Sequence, residues 1–131
     1  YMERSMKLDR LVSKSAPAAI GPYSHGVKRG DMIITSGQIP VDPQTHEMVR
    51  EIKAATLTVL NNLISVVEEG GGDRTTVAKV DVFVRSLSDF DAINQVYSEF
   101  FGDSKPARVL VQVSDLPDGA LLEAAMTAFV K

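Results

Sequence analysis

Cysteine is missing from all 131 residues, and with it go disulfide frameworks, thiolate zinc sites, iron–sulfur clusters and cysteine nucleophiles. No excess of positive charge is present either: fourteen Lys and Arg stand against seventeen Asp and Glu, a net charge of −3. The cations are scattered and form no stripe of the kind that holds a phosphate backbone, so nucleic acid is not an expected partner. No apolar run approaches the roughly 18 residues of a membrane span, and residues 1–11 lack the apolar core of a signal peptide. These absences lead us to expect a cytoplasmic protein without a membrane partner. The common catalytic signatures are also missing: there is no GxGxxG, no Walker lysine, no GxSxG elbow and no HExxH.

What remains is ordinary globular material, 44% hydrophobic and 24% charged. A chain of this length removes roughly two-thirds of its unfolded surface from water on folding, so one domain needs neither disulfide nor structural metal. No repeat or linker divides the chain, and residues 7–131 read as that domain. Residues 1–5, ahead of a second methionine at Met6, read as an added segment and are set aside.

Turn and periodicity signals cut the domain into short elements. Residues 7–12 are compatible with a strand. Val27-Lys28, Arg29-Gly30-Asp31 and residues 32–36 read as strand, tight turn, strand, with Gly30 supplying the positive φ. Pro40 and Asp42-Pro43 break the sheet. Residues 51–69 carry Ile52, Ala55, Val59, Leu63 and Val66 at helical spacing, ended by Gly70-Gly71-Gly72. Val80, Val82 and Val84 alternate on a strand over 77–84. A second helix over 88–101 has Phe90, Ile93, Val96, Tyr97 and Phe100 as its apolar stripe, with Ser88 and Asp91 spaced as a capping box and Gly102 as its stop. Residues 107–113 and 121–130 read as two more strands around a turn with Pro117 and Gly119.

Two amphipathic helices and five or six strands predict an α+β two-layer sandwich, a mixed sheet with both helices on one face. The other face then lacks a cover. Val109, Val111 and Val113, or their neighbours across the pleat, would meet solvent in a monomer, which predicts self-association.

Few residues invite chemistry. Gly70-Gly71-Gly72 is followed by Asp73-Arg74 rather than Lys-Ser, and so reads as a helix terminus, not a phosphate loop. His25 and His46, the only histidines, read as surface residues, and no metal site is expected. Arg108 is more informative, because it lies inside an alternating strand and shares its face with Leu110 and Gln112. It reads either as an edge arginine snorkelling into water or ion-paired, or as a carboxylate clamp whose guanidinium fork offers two parallel donors. Glu123, the only acid between Leu121 and Lys131, reads either as the salt-bridge partner of Arg108 or as an acid/base group. Tyr23 and Ser36 sit in Gly- and Pro-rich segments of the sort that place ligand groups.

Three motifs in order carry a resemblance. Ala16-Pro17-Ala18-Ala19-Ile20-Gly21-Pro22-Tyr23-Ser24, then Ile34-Thr35-Ser36-Gly37-Gln38-Ile39-Pro40, then Pro106-Ala107-Arg108 followed fifteen residues later by Glu123, closely resemble the RidA family, also called YjgF. The likeness runs over nearly the whole chain. It implies a chorismate-mutase-like fold assembled as a homotrimer with ligand sites between subunits. It also implies a cofactor-independent deaminase that hydrolyses 2-iminobutanoate and 2-iminopropanoate, released by pyridoxal-phosphate-dependent dehydratases, to 2-oxo acids and ammonia. By the same resemblance Arg108 is the carboxylate clamp, Glu123 handles the attacking water, and Tyr23 and Ser36 line the site. Gly37 and Leu110 are backbone ligand contacts, and Asn94 is a supporting residue. Val109, Leu110, Gln112 and His46 depart from the family's usual residues, which bears on the substrate side chain more than on the anion clamp. The competing readings are a non-catalytic trimeric sensor of 2-oxo acids, and the endoribonuclease or translation-inhibitor activity reported for the family.

Overall fold

The computed structural model describes residues 7–131; the reading of residues 1–5 as an addition lies outside them. Six strands form one sheet: β1 (Asp9–Leu11), β2 (Gly26–Arg29), β3 (Met32–Thr35), β4 (Val77–Val84), β5 (Ala107–Gln112) and β6 (Leu122–Phe129). Helix α1 (Ile52–Glu69) joins β3 to β4, and α2 (Phe90–Phe101) joins β4 to β5. The order across the sheet is β1-β2-β3-β6-β4-β5, with every pair antiparallel except β4–β5. That exception follows from connectivity, since a helix returns the chain to the end from which it started and the next strand must run parallel. The α+β sandwich with a mixed sheet is therefore what forms.

Local chemistry sets the boundaries. Gly30, at φ 58°, turns β2 into β3 with only Asp31 beside it. The Glu51 carboxylate caps α1 by accepting from the Lys53 and Ala54 amides at 2.8 and 3.1 Å, which satisfies two of the amides a helix start leaves free. These bonds, Lys53 first, hold the Glu51 carboxyl below its ordinary value of 4.5. The expected capping box at Ser88 does not form. The hydroxyl of Ser86 instead accepts from the Ser88 amide at the start of a short 3₁₀ turn, Leu87–Asp89, and α2 begins at Phe90 without a side-chain cap. The sequence pattern missed that extra turn.

One sheet face is dry. Val80, Val82 and Val84 pair with Met126, Ala124 and Leu122, and all six are buried against α1 and α2. A register shift between Val77 and Lys79 adds a residue to β4, so Val77 turns inward with Val80 despite the odd spacing. Ala55, Val59, Leu63 and Val67 of α1 complete the contact. The other face is open: Met32, Ile34, Val109, Val111 and Phe129 are each exposed by 41–45%. Val109 and Val111 face solvent as anticipated, whereas Val113 lies past the strand end and is half-buried.

Candidate active site

The residues singled out by sequence fall into two clusters. The first lies where β3 meets β6. Ile34 pairs with Thr127 and Gln38 with Ala124, so three residues, 35–37, span the interval that two residues, 125 and 126, span on β6. This is a bulge, and the Thr35 hydroxyl fills the gap in the ladder by accepting from the Met126 amide at 2.8 Å. The bulge lays Gly37 directly beside Glu123. A Cβ on residue 37 would overlap Glu123 Oε2 and stand 3.0 Å from its Cδ, so only glycine leaves the carboxylate room here. Ser36 donates its hydroxyl to the Ser24 carbonyl at 2.6 Å and its amide to the His25 carbonyl at 2.9 Å. The Ser36 lone pairs stay available to a ligand donor.

His25 corrects the sequence reading. It is 3% exposed rather than a surface residue: Nδ1 accepts from the Ser13 amide at 3.0 Å, and Nε2, 2.7 Å away, donates to the Pro17 carbonyl. One neutral tautomer satisfies both bonds, and together they pin the loop that carries Tyr23. Tyr23 itself is half-exposed, its ring folded over Gly21, where a Cβ would come within 3.1 Å of Cε2. His46 is exposed, in a turn at φ 65°.

The second cluster surrounds Arg108 on edge strand β5. Its Nη1 donates to Asn94 Oδ1 at 2.8 Å, and its guanidinium carbon lies 4.7 Å from the Tyr97 ring centroid and 5.7 Å from that of Phe90. Phe90, Asn94 and Tyr97 stand at i, i+4 and i+7, one face of α2. Leu110 follows on the same strand face, and beyond it Gln112 accepts from the Leu87 amide at 2.9 Å. Arg108 is half-buried, yet among the described residues it has no carboxylate partner. A half-buried cation with one nitrogen tethered, and with Nε and Nη2 making no hydrogen bond among the described residues, is equipped to receive an anion edge-on.

The two clusters do not meet within one chain. Arg108 pairs with Val80 on the helix-covered face, whereas Glu123 pairs with Phe83 on the open face. An internal Arg108–Glu123 salt bridge, one of the alternatives the sequence left standing, is thereby excluded. The structure joins Glu123 with Gly37, Ser36 with the Tyr23 loop, and Arg108 with Asn94 and Leu110. The family model described as Endoribonuclease L-PSP matches residues 13–130. The chain belongs to this family, also called YjgF/RidA.

Within the family, the chain is 45% identical over 125 residues to a RutC family protein of Pyrococcus abyssi, covering 95% of this chain and 98% of that one. It is 42% identical over 116 residues to the 2-iminobutanoate/2-iminopropanoate deaminase of Escherichia coli K12, covering 86% and 91%. The crystal structure of the E. coli YjgF gene product superposes with a TM-score of 0.90 at 40% identity, over 94% of this chain and 99% of that one. The RidA fold thus accounts for both layers and the sheet order. Phe90 and Tyr97 border Arg108, a placement that the sequence, which offered them only as part of the apolar stripe of α2, did not single out. The one local signal was Asn94, a polar side chain at helical spacing between the two aromatics. Among the described residues no cluster suits a metal ion, and no helix is long and apolar enough to cross a membrane.

Proposed function

We propose that this protein hydrolyses short 2-imino acids, of the 2-iminobutanoate and 2-iminopropanoate type, to 2-oxo acids and ammonia. The observation that carries the reading is the half-buried Arg108, restrained by Asn94 and without a carboxylate partner among the described residues. It suits a substrate that brings one, and charge-assisted hydrogen bonds of this kind contribute about 1.5–3 kcal/mol each. The deaminase name of the E. coli relative supports the same substrate class. In the reaction the iminium carbon accepts the oxygen of water, the C=N π pair moves to nitrogen, and one proton passes from oxygen to nitrogen; the C–N bond then breaks to release ammonia, and the remaining O–H proton leaves as the carbonyl forms and ends on the ammonia as ammonium. Glu123 is the group that takes and returns the proton, a task typically worth about 10²- to 10⁴-fold in rate. Ser36 and Tyr23 line its side of the cleft, the Gly37 and Leu110 backbones contact the ligand, and no cofactor takes part.

Since Arg108 and Glu123 occupy opposite sheet faces, a complete site on this reading combines two protomers. The uncovered apolar face supplies the reason to assemble, and a homotrimer closes it symmetrically. Pyridoxal-phosphate-dependent dehydratases, which release such imines, are the expected suppliers.

The test couples a threonine dehydratase to this protein and traps surviving imine with semicarbazide. Trapped product should fall as protein is added; undiminished trapping across several chain lengths refutes the assignment. Glu123→Ala should retain 2-oxobutanoate binding while losing hydrolysis, which separates an enzyme from a metabolite sensor. Equal mixing of Arg108→Ala and Glu123→Ala protomers, refolded together, should restore activity in about a quarter of the clefts if each draws its two groups from different subunits. No restoration would refute a site shared between subunits. The ribonuclease suggested by the family's name finds no basic stripe to bind its substrate, and RNA cleavage that survives Arg108→Ala would not come from this site.

A further inference from the structure

Tyr97 is not among the residues that the motifs assign, and its environment is unusual for a tyrosine. Its hydroxyl is buried and makes no hydrogen bond among the described residues, an arrangement that normally disfavours tyrosine against phenylalanine. Burial pushes its phenol up, against the lowering pull of the Arg108 charge. The ring, in contrast, is fully engaged. One side meets Phe101, centroids 4.8 Å apart and tilted by 53°, and Phe101 meets Phe100 edge-on at 5.1 Å. Both phenylalanines are buried in the core. The Tyr97 ring also meets the guanidinium of Arg108 at 4.7 Å. A line of ring contacts, tilted and edge-on, therefore runs from Phe100 in the core through Phe101 and Tyr97 to the cation of the proposed site.

We infer that Tyr97 is a positioning residue for Arg108, its ring serving as the platform that fixes the guanidinium plane. The inference rests on the reading of Arg108 as the carboxylate clamp. An arginine side chain has many rotamers, and a clamp that must freeze them when substrate arrives binds weakly. Here Asn94 holds Nη1 and the Tyr97 ring lies 4.7 Å from the guanidinium carbon, so on this inference Nε and Nη2 are presented as a preformed fork. Phe90, 42% exposed and 5.7 Å away, is a second and looser wall. Because a carboxylate is held alike before and during reaction, the platform should act on binding rather than on turnover.

The test measures 2-oxobutanoate affinity and imine-hydrolysis kinetics on the assembled protein. Tyr97→Leu removes the platform and should weaken binding and raise KM by roughly tenfold, with kcat changed less than about threefold. Tyr97→Phe keeps the ring and should match the wild type in both. In an Arg108→Ala background, Tyr97→Leu should cost nothing further, because the residue it acts through is gone. If Tyr97→Leu folds poorly, replacing Tyr97 by pentafluorophenylalanine keeps the outline while reversing the ring's electrostatics, and should weaken binding alike. Unaltered affinity in both variants overturns the inference. So does a deficit that persists without Arg108, which marks mere packing, or a deficit of equal size in Tyr97→Phe, which assigns the work to the hydroxyl. The underlying reading fails separately, and visibly, if Arg108→Ala binds 2-oxobutanoate as well as the wild type does.

Discussion

Gly37→Ala is a small change with a calculable consequence. The backbone at residue 37 is not in the left-handed region, so alanine is tolerated there and reduces the freedom of the unfolded chain, a gain of about 0.4–1 kcal/mol at compatible sites. The new methyl, however, would overlap the Glu123 carboxylate and stand 3.0 Å from Cδ and 3.2 Å from Cγ. Ordinary carbon contacts need about 3.5–4 Å, so the carboxylate must swing away by about 1 Å. A displacement of that size at a reacting group costs on the order of 10²-fold in rate. The expected outcome is a kcat near one-hundredth of the wild type with KM altered far less, because Arg108 lies on the other sheet face, and a melting temperature that does not fall. Imine trapping gives the kinetics and a thermal melt the stability. Wild-type kcat in a stable Gly37→Ala protein would refute Glu123 as the group that positions water. A collapse of the melting temperature would show instead that Glu123 cannot yield.

Other consequences are more direct. Val111→Lys sets a charge on the open sheet face, where Val111 is 41% exposed; it should dissociate the proposed homotrimer by sedimentation and abolish the proposed hydrolysis while leaving the far-ultraviolet circular dichroism intact, and an active assembly of wild-type size would contradict the proposed interface. His25→Leu strands the Ser13 amide and should destabilise the chain by about 1–3 kcal/mol, with faster proteolysis between residues 14 and 24, whereas an unchanged melt would deny the histidine its anchoring role. Acid should weaken the fold through Asp42, Glu51 and Asp73, which accept chiefly from Thr45, from Lys53 and from the Thr75 side chain, and which are all held below their ordinary values. A carboxyl lowered by folding adds stability above its ordinary value, 3.8 for the aspartates and 4.5 for Glu51, and that stability disappears as pH falls through the folded value. Glu51→Gln should flatten its share of the loss in melts from pH 5 to pH 2, and an identical slope would exclude the cap.

The layers were legible in the sequence because each rests on a periodicity or a turn residue that has no competing explanation. Helix α1 follows from Ile52, Ala55, Val59 and Leu63, and the β2–β3 hairpin from Gly30. Two features were hidden for physical reasons. The bulge over 35–37 depends on a hydroxyl from Thr35 replacing a backbone acceptor, and no local pattern distinguishes that threonine from any other strand threonine. His25 looked superficial because its loop is rich in Gly and Pro, yet its two ring bonds reach back to Ser13 and Pro17, contacts that only the β1–β2 pairing brings within range. The motifs supplied Arg108 and Glu123 as a pair fifteen residues apart, but linear spacing could not say that strand alternation places them on opposite faces.

That opposition has a chemical use on the proposed reading. Were Arg108 and Glu123 neighbours on one face, they would pair in the lone chain, and the clamp would be occupied before any substrate arrived. Strand alternation prevents this. Arg108 is held by an amide oxygen and two rings, none of which carries a charge, and Glu123 rests against the Gly37 backbone. When protomers join, the separation of the two charges is set by rigid sheets meeting across an interface rather than by flexible side chains within one chain. The spacing needed to seat a carboxylate at one end and a water at the other then becomes a property of quaternary structure, and substitutions that shift the interface without touching either residue should lower kcat before they alter the fold.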